Sequence, residues 1–146
     1  MIRFYEASDY KSVNGLLSSF DSNIDLNSNP FYKCLIYEEK EILGVIVFEE
    51  IYGRIELDYI IVDDNYRRLG IASKLMEYLI NYVKNNNILN ITLEVNESNI
   101  SALNLYKKYK FELVSRREKY YKDNDAILMI RKFDNNEWYL YIRNWN

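Results

Sequence analysis

The 146-residue chain has no histidine, one cysteine (Cys34), one proline (Pro30) and four glycines (Gly15, Gly44, Gly53 and Gly70). Without histidine there is no Ser-His-Asp or Cys-His nucleophile system and none of the usual histidine-bearing zinc sites, so no metal is expected. A lone cysteine excludes an intramolecular disulfide, a CxxC redox pair and a four-thiolate metal site, and this usage suits a reducing compartment. No run approaches the roughly 18 apolar residues of a membrane span, and the start, Met1-Ile2-Arg3-Phe4-Tyr5-Glu6, lacks a signal peptide's apolar core. The expectation is a cytoplasmic protein with no membrane partner. A net charge of −3 gives no broad footprint for a phosphate backbone, so no nucleic acid is expected and a cationic or neutral partner fits better.

What is present is an ordinary globular composition, 49% hydrophobic and 28% charged, at a length that suits one domain. Apolar spacing predicts a short strand at residues 2–6 and then a helix capped by Ser8, with Tyr10, Val13, Leu16, Leu17 and Phe20 on one side. A polar loop from Asp21 to Pro30 follows, then a hairpin of Cys34–Tyr37 with Leu43–Phe48. A turn at Tyr52-Gly53, where glycine supplies positive φ, leads into a third strand, 54–62. The clearest helix spans 71–84, striped by Ile71, Leu75, Tyr78, Leu79, Tyr82 and Val83. A strand at 88–95, a helix at 99–109 with Ser98 as its cap, and strands at 111–118 and 125–133 complete the order β-α-β-β-β-α-β-α-β-β. The tail 134–146, with Trp138, Tyr139, Leu140, Tyr141, Ile142 and Trp145, is too apolar for a solvated terminus. It reads either as an extra strand packed on the domain or as an arm for a partner.

One loop carries a chemical signal. The third strand runs through Asp63-Asp64-Asn65-Tyr66 into Arg67-Arg68-Leu69-Gly70-Ile71-Ala72, and the loop opens directly into the best helix. Unpaired N–H groups and the positive end of the dipole at a helix start favour an anion. Gly70 and Ala72 leave room for a diphosphate, and two arginines add charge. Neither a Walker A loop nor a three-glycine Rossmann fingerprint is present. A solvated turn with two surface arginines is the plain alternative.

The segment Val62–Ala72 resembles motif A of the GNAT N-acetyltransferase superfamily: Gln or Arg, two residues, Gly, one residue, then Gly or Ala, filled here by Arg67, Gly70 and Ala72. The likeness continues through Leu93-Glu94-Val95, Asn99, Ala102, Leu105-Tyr106 and Phe111, and covers residues 1–133. It implies an α/β (α+β) single domain with a mixed, mostly antiparallel central sheet and helices on both faces. It also implies acetyl-CoA as co-substrate. Its pantetheine arm would run along backbone groups of Ile60, Ile61 and Val62, its diphosphate would rest on Arg68, Leu69, Gly70, Ile71, Ala72 and Ser73, and Asn99 and Tyr106 would contact it from the second helix. A narrower resemblance, in Arg116-Arg117-Glu118-Lys119-Tyr120-Tyr121 followed by Asp125-Ala126-Ile127, is to the last hairpin of N-terminal acetyltransferases of the ribosomal-protein-alanine (RimI) type. There the paired tyrosines line the acceptor's backbone. Two departures stand out: Lys110 replaces the family's glycine before Phe111, which points to a reshaped turn, and nothing in Phe20–Pro30 matches the RimI type's Phe-Pro-Trp stretch.

Transfer of an acyl group from a thioester to an amine needs a neutral amine, a polarised carbonyl and a proton for the thiolate. An α-amine of pKa about 7.7–8.0 is roughly 10% neutral at pH 7, against roughly 0.04% for lysine, so a peptide N-terminus burdens the base least. By the resemblance Glu94 is the base and Tyr106 the general acid. Asp58 is the rival base, since Glu56, Asp58, Ile60 and Val62 alternate onto one face of their strand. Ordinary surface carboxylates and a core tyrosine are the plain readings. Cys34 and Ser73 are given no nucleophilic role, so transfer is expected to be direct. The functional readings are therefore acetylation of a protein or peptide N-terminus, acetylation of a small amine such as a polyamine or aminosugar, or acyl-CoA sensing without turnover. Monomer and homodimer both remain open.

Overall fold

The computed structural model describes residues 1–133, so the aromatic tail at 134–146 lies outside the described residues. The elements are β1 (Ile2–Phe4), α1 (Tyr10–Phe20), β2 (Tyr32–Glu38), β3 (Ile42–Ile51), β4 (Arg54–Val62), α2 (Ile71–Asn85), β5 (Asn90–Asn96), α3 (Ile100–Lys108), β6 (Glu112–Tyr121) and β7 (Asn124–Lys132). The strands form one mixed sheet in the order β1-β2-β3-β4-β5-β7-β6, with β4 and β5 parallel. This is the expected order of elements. By internal contacts the chain divides into two units, Met1–Ile51 with Asp58–Asn81, and Tyr52–Leu57 with the chain from Tyr82 onward.

In the first unit β3 is buried on both faces from Leu43 to Phe48, which is why its sequence is an unbroken apolar run rather than an alternating one. One face, with Cys34, Ile36, Val45 and Val47, packs with Val13 and Leu17 of α1 and with Ile24 and Ile61. On the other, Gly44 lies under α2: a Cβ there would come within 2.9 Å of Ile71 Cγ2 and 3.4 Å of the Ile61 carbonyl oxygen. The absence of a side chain lets the start of α2 sit directly on the strand. The stripe of α2 differs slightly from expectation, because Met76 is fully buried while Tyr78 is 39% exposed. Ser8 does not cap α1. A 3-10 turn at Ala7–Asp9 precedes the helix, and Asp9 is taken up by a bidentate pair with Arg3 at 2.7 and 2.9 Å and by the N–H of Glu6 at 2.8 Å. Glu38 on β2 holds the same arginine, Oε1 lying 3.2 Å from its Nε.

In the second unit the hairpin turn has Tyr52 at φ 50° and Gly53 at φ 74°, the two successive positive angles of a type I′ turn. β5 starts at Asn90 rather than at 88, because the N–H of Ile88 closes α2 on Val83 O and that of Leu89 bonds to Gly53 O. Asn99, not Ser98, caps α3: Asn99 Oδ1 accepts the Ala102 N–H at 3.2 Å, whereas Ser98 donates its N–H and hydroxyl to Asn96 Oδ1.

The turn after α3 corrects the expectation at Lys110. It is not reshaped: Lys110 takes the left-handed conformation itself, φ 68°. The N–H of Phe111 bonds to Tyr106 O and that of Lys110 to Lys107 O, each at 3.0 Å, and the Tyr106 and Phe111 rings meet at 5.6 Å. Those two bonds and that apolar contact make a Schellman closure, which holds the lysine where glycine is the usual occupant.

Candidate active site

The expected site residues fall into two groups, one in each unit. The first is built on β4 and the loop that leaves it. Asp63 donates its N–H to Leu43 O at 2.8 Å, fixing the end of β4, and its Oδ1 accepts the Asn65 N–H at 2.9 Å to start a 3-10 turn, Asp64–Tyr66. Arg67 is then extended, Arg68 is left-handed at φ 64° and Gly70 at φ 80°. The N–H of Lys74 bonds to Gly70 O at 3.0 Å. Gly70 is thus the residue on which the helix opens.

Nothing lies within 4 Å of where a Cβ on Gly70 would stand, and Leu69 and Gly70 are exposed. An open helix start of this kind accepts an anion, and the expected diphosphate residues Arg68 to Ser73 fit that group. Arg67, one of the two arginines expected to add charge here, has its Nη2 2.7 Å from Asp64 Oδ1, at the surface. Earlier on β4, Ile61 packs into the core while Ile60 and Val62 are half-buried. The parallel ladder pairs only Arg54–Leu57 with Asn90–Leu93, although β4 itself runs on to Val62. Asp58 lies by two phenols. Burial and then the charge of Asp58 push both Tyr32 and Tyr59 up from their usual value. The one thiol nearby is inert, since burial pushes Cys34 up to about 12.

The second group lies on β5, α3 and β6. Glu94 alternates with buried Leu93 and Val95, and its side chain is 23% exposed. Its Oε2 stands 3.6 Å from Arg117 Nε. Tyr121 is near the same carboxylate: burial first, then Glu94, then Tyr120 push its phenol up. The Tyr120 and Tyr121 rings meet edge to face at 5.1 Å, and the Arg117 guanidinium lies 5.5 Å from the Tyr120 ring centre. The structure thus brings Glu94, Tyr120 and Tyr121 together. Tyr106 is buried, which raises its phenol to about 12. No hydrogen bond joins it to Glu94 among the described residues. Asn99 is exposed, with Oδ1 committed to the cap described above.

Two residues that sequence reasoning passed over organise this second group. Asp125 Oδ1 accepts the N–H of Lys119 at 3.0 Å, and its Oδ2 lies 3.3 Å from Arg116 Nη1. Between Arg117 and Tyr121 the register of β6 on β7 shifts, with Lys119 left-handed at φ 51°. Asp125 pins that irregularity, and Arg117 ties it to Glu94. The Asp-Ala pair after the tyrosines was a visible signal for Asp125. Nothing in the spacing set Arg117 apart from Arg116.

The sequence model of the Acetyltransferase (GNAT) family matches residues 3–111, well over half of the chain, and the chain belongs to that family. It is 40% identical over 86 residues to the N-alpha-acetyltransferase daf-31 of Caenorhabditis elegans, covering 58% of this chain and 46% of that protein. It is 35% identical over 74 residues to the ribosomal protein bS18-alanine N-acetyltransferase of Escherichia coli (strain K12), covering 48% of this chain and 50% of that protein. In both, the match spans about half of the curated relative's length. Among solved structures, the ribosomal-protein-S18-alanine N-acetyltransferase from Escherichia coli shares the fold, with a TM-score of 0.78 at 22% identity over 90% of this chain and 92% of that one. No helix among the described residues is long and apolar enough to cross a membrane.

Proposed function

We propose that the chain transfers an acetyl group from acetyl-CoA to the α-amine of a protein or peptide N-terminus in the cytoplasm. The observation that carries this reading is the backbone of Arg67–Ala72, whose left-handed Arg68 and Gly70 open the start of α2 to an anion. Membership of the GNAT family, whose enzymes use acetyl-CoA, agrees with it. The names of both relatives, an N-alpha-acetyltransferase and an alanine N-acetyltransferase, favour an α-amine acceptor.

In this reading β4 offers the backbone of Ile60, Ile61 and Val62 to the pantetheine arm, where no β5 partner is paired with it. Bound acetyl-CoA supplies an acyl thioester. The acceptor nitrogen attacks the carbonyl carbon, the C–S bond breaks and the amine's proton passes through a water to Glu94. Tyr106 is the group assigned to the thiolate. With its phenol raised to about 12 it stays protonated at neutral pH, always a donor. A thiol's ordinary value near 8.5 makes full transfer from such a phenol uphill, so Tyr106 donates a hydrogen bond as charge develops and solvent completes the protonation. Tyr120 and Tyr121 line the acceptor, and Asp58 is the rival base and acceptor contact.

The test is CoA release on incubation with acetyl-CoA and N-terminal peptides, lysine peptides, polyamines or aminosugars. Release with N-terminal peptides is the expected result. Release with the small amines alone would transfer the assignment to that class, and tight CoA binding without release for any acceptor would leave a sensor.

A further inference from the structure

β6 carries two adjacent arginines that period-two alternation sends to opposite faces, and their partners differ accordingly. Arg116 Nη1 lies 3.2 Å from Glu97 Oε2 and 3.3 Å from Asp125 Oδ2, while Asp125 also holds the Lys119 N–H. That set fixes the bulged stretch of β6. Arg117 has no part in it. Its guanidinium instead spans from Glu94 Oε2, at 3.6 Å, to the face of Tyr120, at 5.5 Å.

A half-exposed pair of this kind adds little to stability. At 3.6 Å it is also longer than a charge-assisted hydrogen bond, so it steers the carboxylate without saturating it. Among the described residues the contact of Arg117 is with Oε2 alone and is longer than a hydrogen bond, so the carboxylate keeps the capacity to take a proton.

Resting on the reading of Glu94 as the base, we propose that Arg117 is a positioning residue for the transfer. It holds Glu94 by one oxygen, with the other directed to the acceptor's water, and braces Tyr120 by its flat face, so that base and acceptor wall keep one spacing. A planar guanidinium does both tasks at once, and the lysine ammonium performs only the first.

The experiment is steady-state kinetics with acetyl-CoA and an N-terminal peptide on wild type, Arg117→Gln, Arg117→Lys, Glu94→Gln and the double variant Arg117→Gln/Glu94→Gln. Arg117→Gln should lower kcat about tenfold, the scale of a displaced catalytic group, and leave the KM for acetyl-CoA and the melting temperature unchanged. Arg117→Lys should recover part of that loss, and the double variant should be no slower than Glu94→Gln alone. Multiplied losses in the double variant, or Arg117→Gln within about twofold of wild-type kcat, would overturn the proposal. Wild-type turnover in Glu94→Gln would instead remove the base assignment itself, and the proposal with it.

Discussion

The loop leading into α2 and the cluster around Glu94 are made of different material. The first is backbone: a strand end tied to Leu43, a left-handed arginine, a left-handed glycine and the start of a helix. The second is side chain: a carboxylate, a guanidinium and two phenols, set by an ion pair and by a bulge that Asp125 pins. An anion held by amides tolerates changes of side chain but not of φ. Proton transfer, in contrast, depends on the identity and placement of individual groups. Substitutions in the two regions should therefore separate cleanly in their kinetics.

The largest effect belongs to the second region. Glu94→Gln and Tyr106→Phe should each lower kcat about a hundredfold, within the range for general acid–base groups, while the dissociation constant for CoA stays near wild type. Isothermal titration beside steady-state kinetics checks both. Equal loss of CoA affinity would blur the comparison, because it would make Tyr106 a binding residue.

In the loop the order of importance should invert what charge suggests. Gly70→Val forces a β-branched residue to φ 80°, at a cost of about 1–2 kcal/mol, and should raise the KM for acetyl-CoA about tenfold with kcat retained. Arg67→Ala removes a charge already paired with Asp64 at the surface, and its KM should stay within about twofold of wild type. A larger effect at Arg67 than at Gly70 would mean that the anion is held by side chains after all.

Much of this was legible in the sequence, and unevenly so. The element order followed from apolar spacing, and Gly70 marked the loop because it leaves room for a diphosphate and fills the motif, while its positive φ came only with the structure. Arg68 adopts the same kind of conformation with no marker at all, since arginine carries no turn preference. Glu94, Tyr120 and Tyr121 were readable as types on a pattern. Their meeting was not, because it depends on an irregular register between β6 and β7 that no local spacing encodes. Ser8 and Ser98 looked like caps by residue type, yet Asp9 and Asn99 precede the helices proper, and the hydrogen bonds of neighbouring residues decided the boundary by one position.

The bulge gives a smaller effect with a defined pH dependence. The N–H of Lys119 first, and the Arg116 guanidinium after it, hold the Asp125 carboxyl below its ordinary 3.8. A carboxylate whose folded value is depressed stabilises the fold at pH above the unfolded value, and that contribution is lost as pH falls through the folded one. Asp125→Asn should therefore melt below wild type at neutral pH, and the gap should narrow below about pH 4 and close in stronger acid. A gap that persists unchanged in acid would mean that Asp125 acts there through shape alone.

The smallest effect is expected at Lys110, and it has the opposite sign. The Schellman closure of α3 demands a left-handed residue, and lysine at φ 68° meets that demand at about 1 kcal/mol of backbone strain. Glycine relieves the strain but gives the unfolded chain more freedom, which returns about half of the gain. Lys110→Gly should thus stabilise the protein by about 0.5 kcal/mol in chemical denaturation, with the slope against denaturant unchanged. Although the Tyr106–Phe111 contact is part of the same closure, kcat should not move, because the strain is borne by the backbone of the turn and not by the phenol. A destabilised Lys110→Gly variant would show that the lysine side chain itself supports the turn. A stabilised variant with altered kcat would show that Tyr106 is tuned by the strain in the turn behind it.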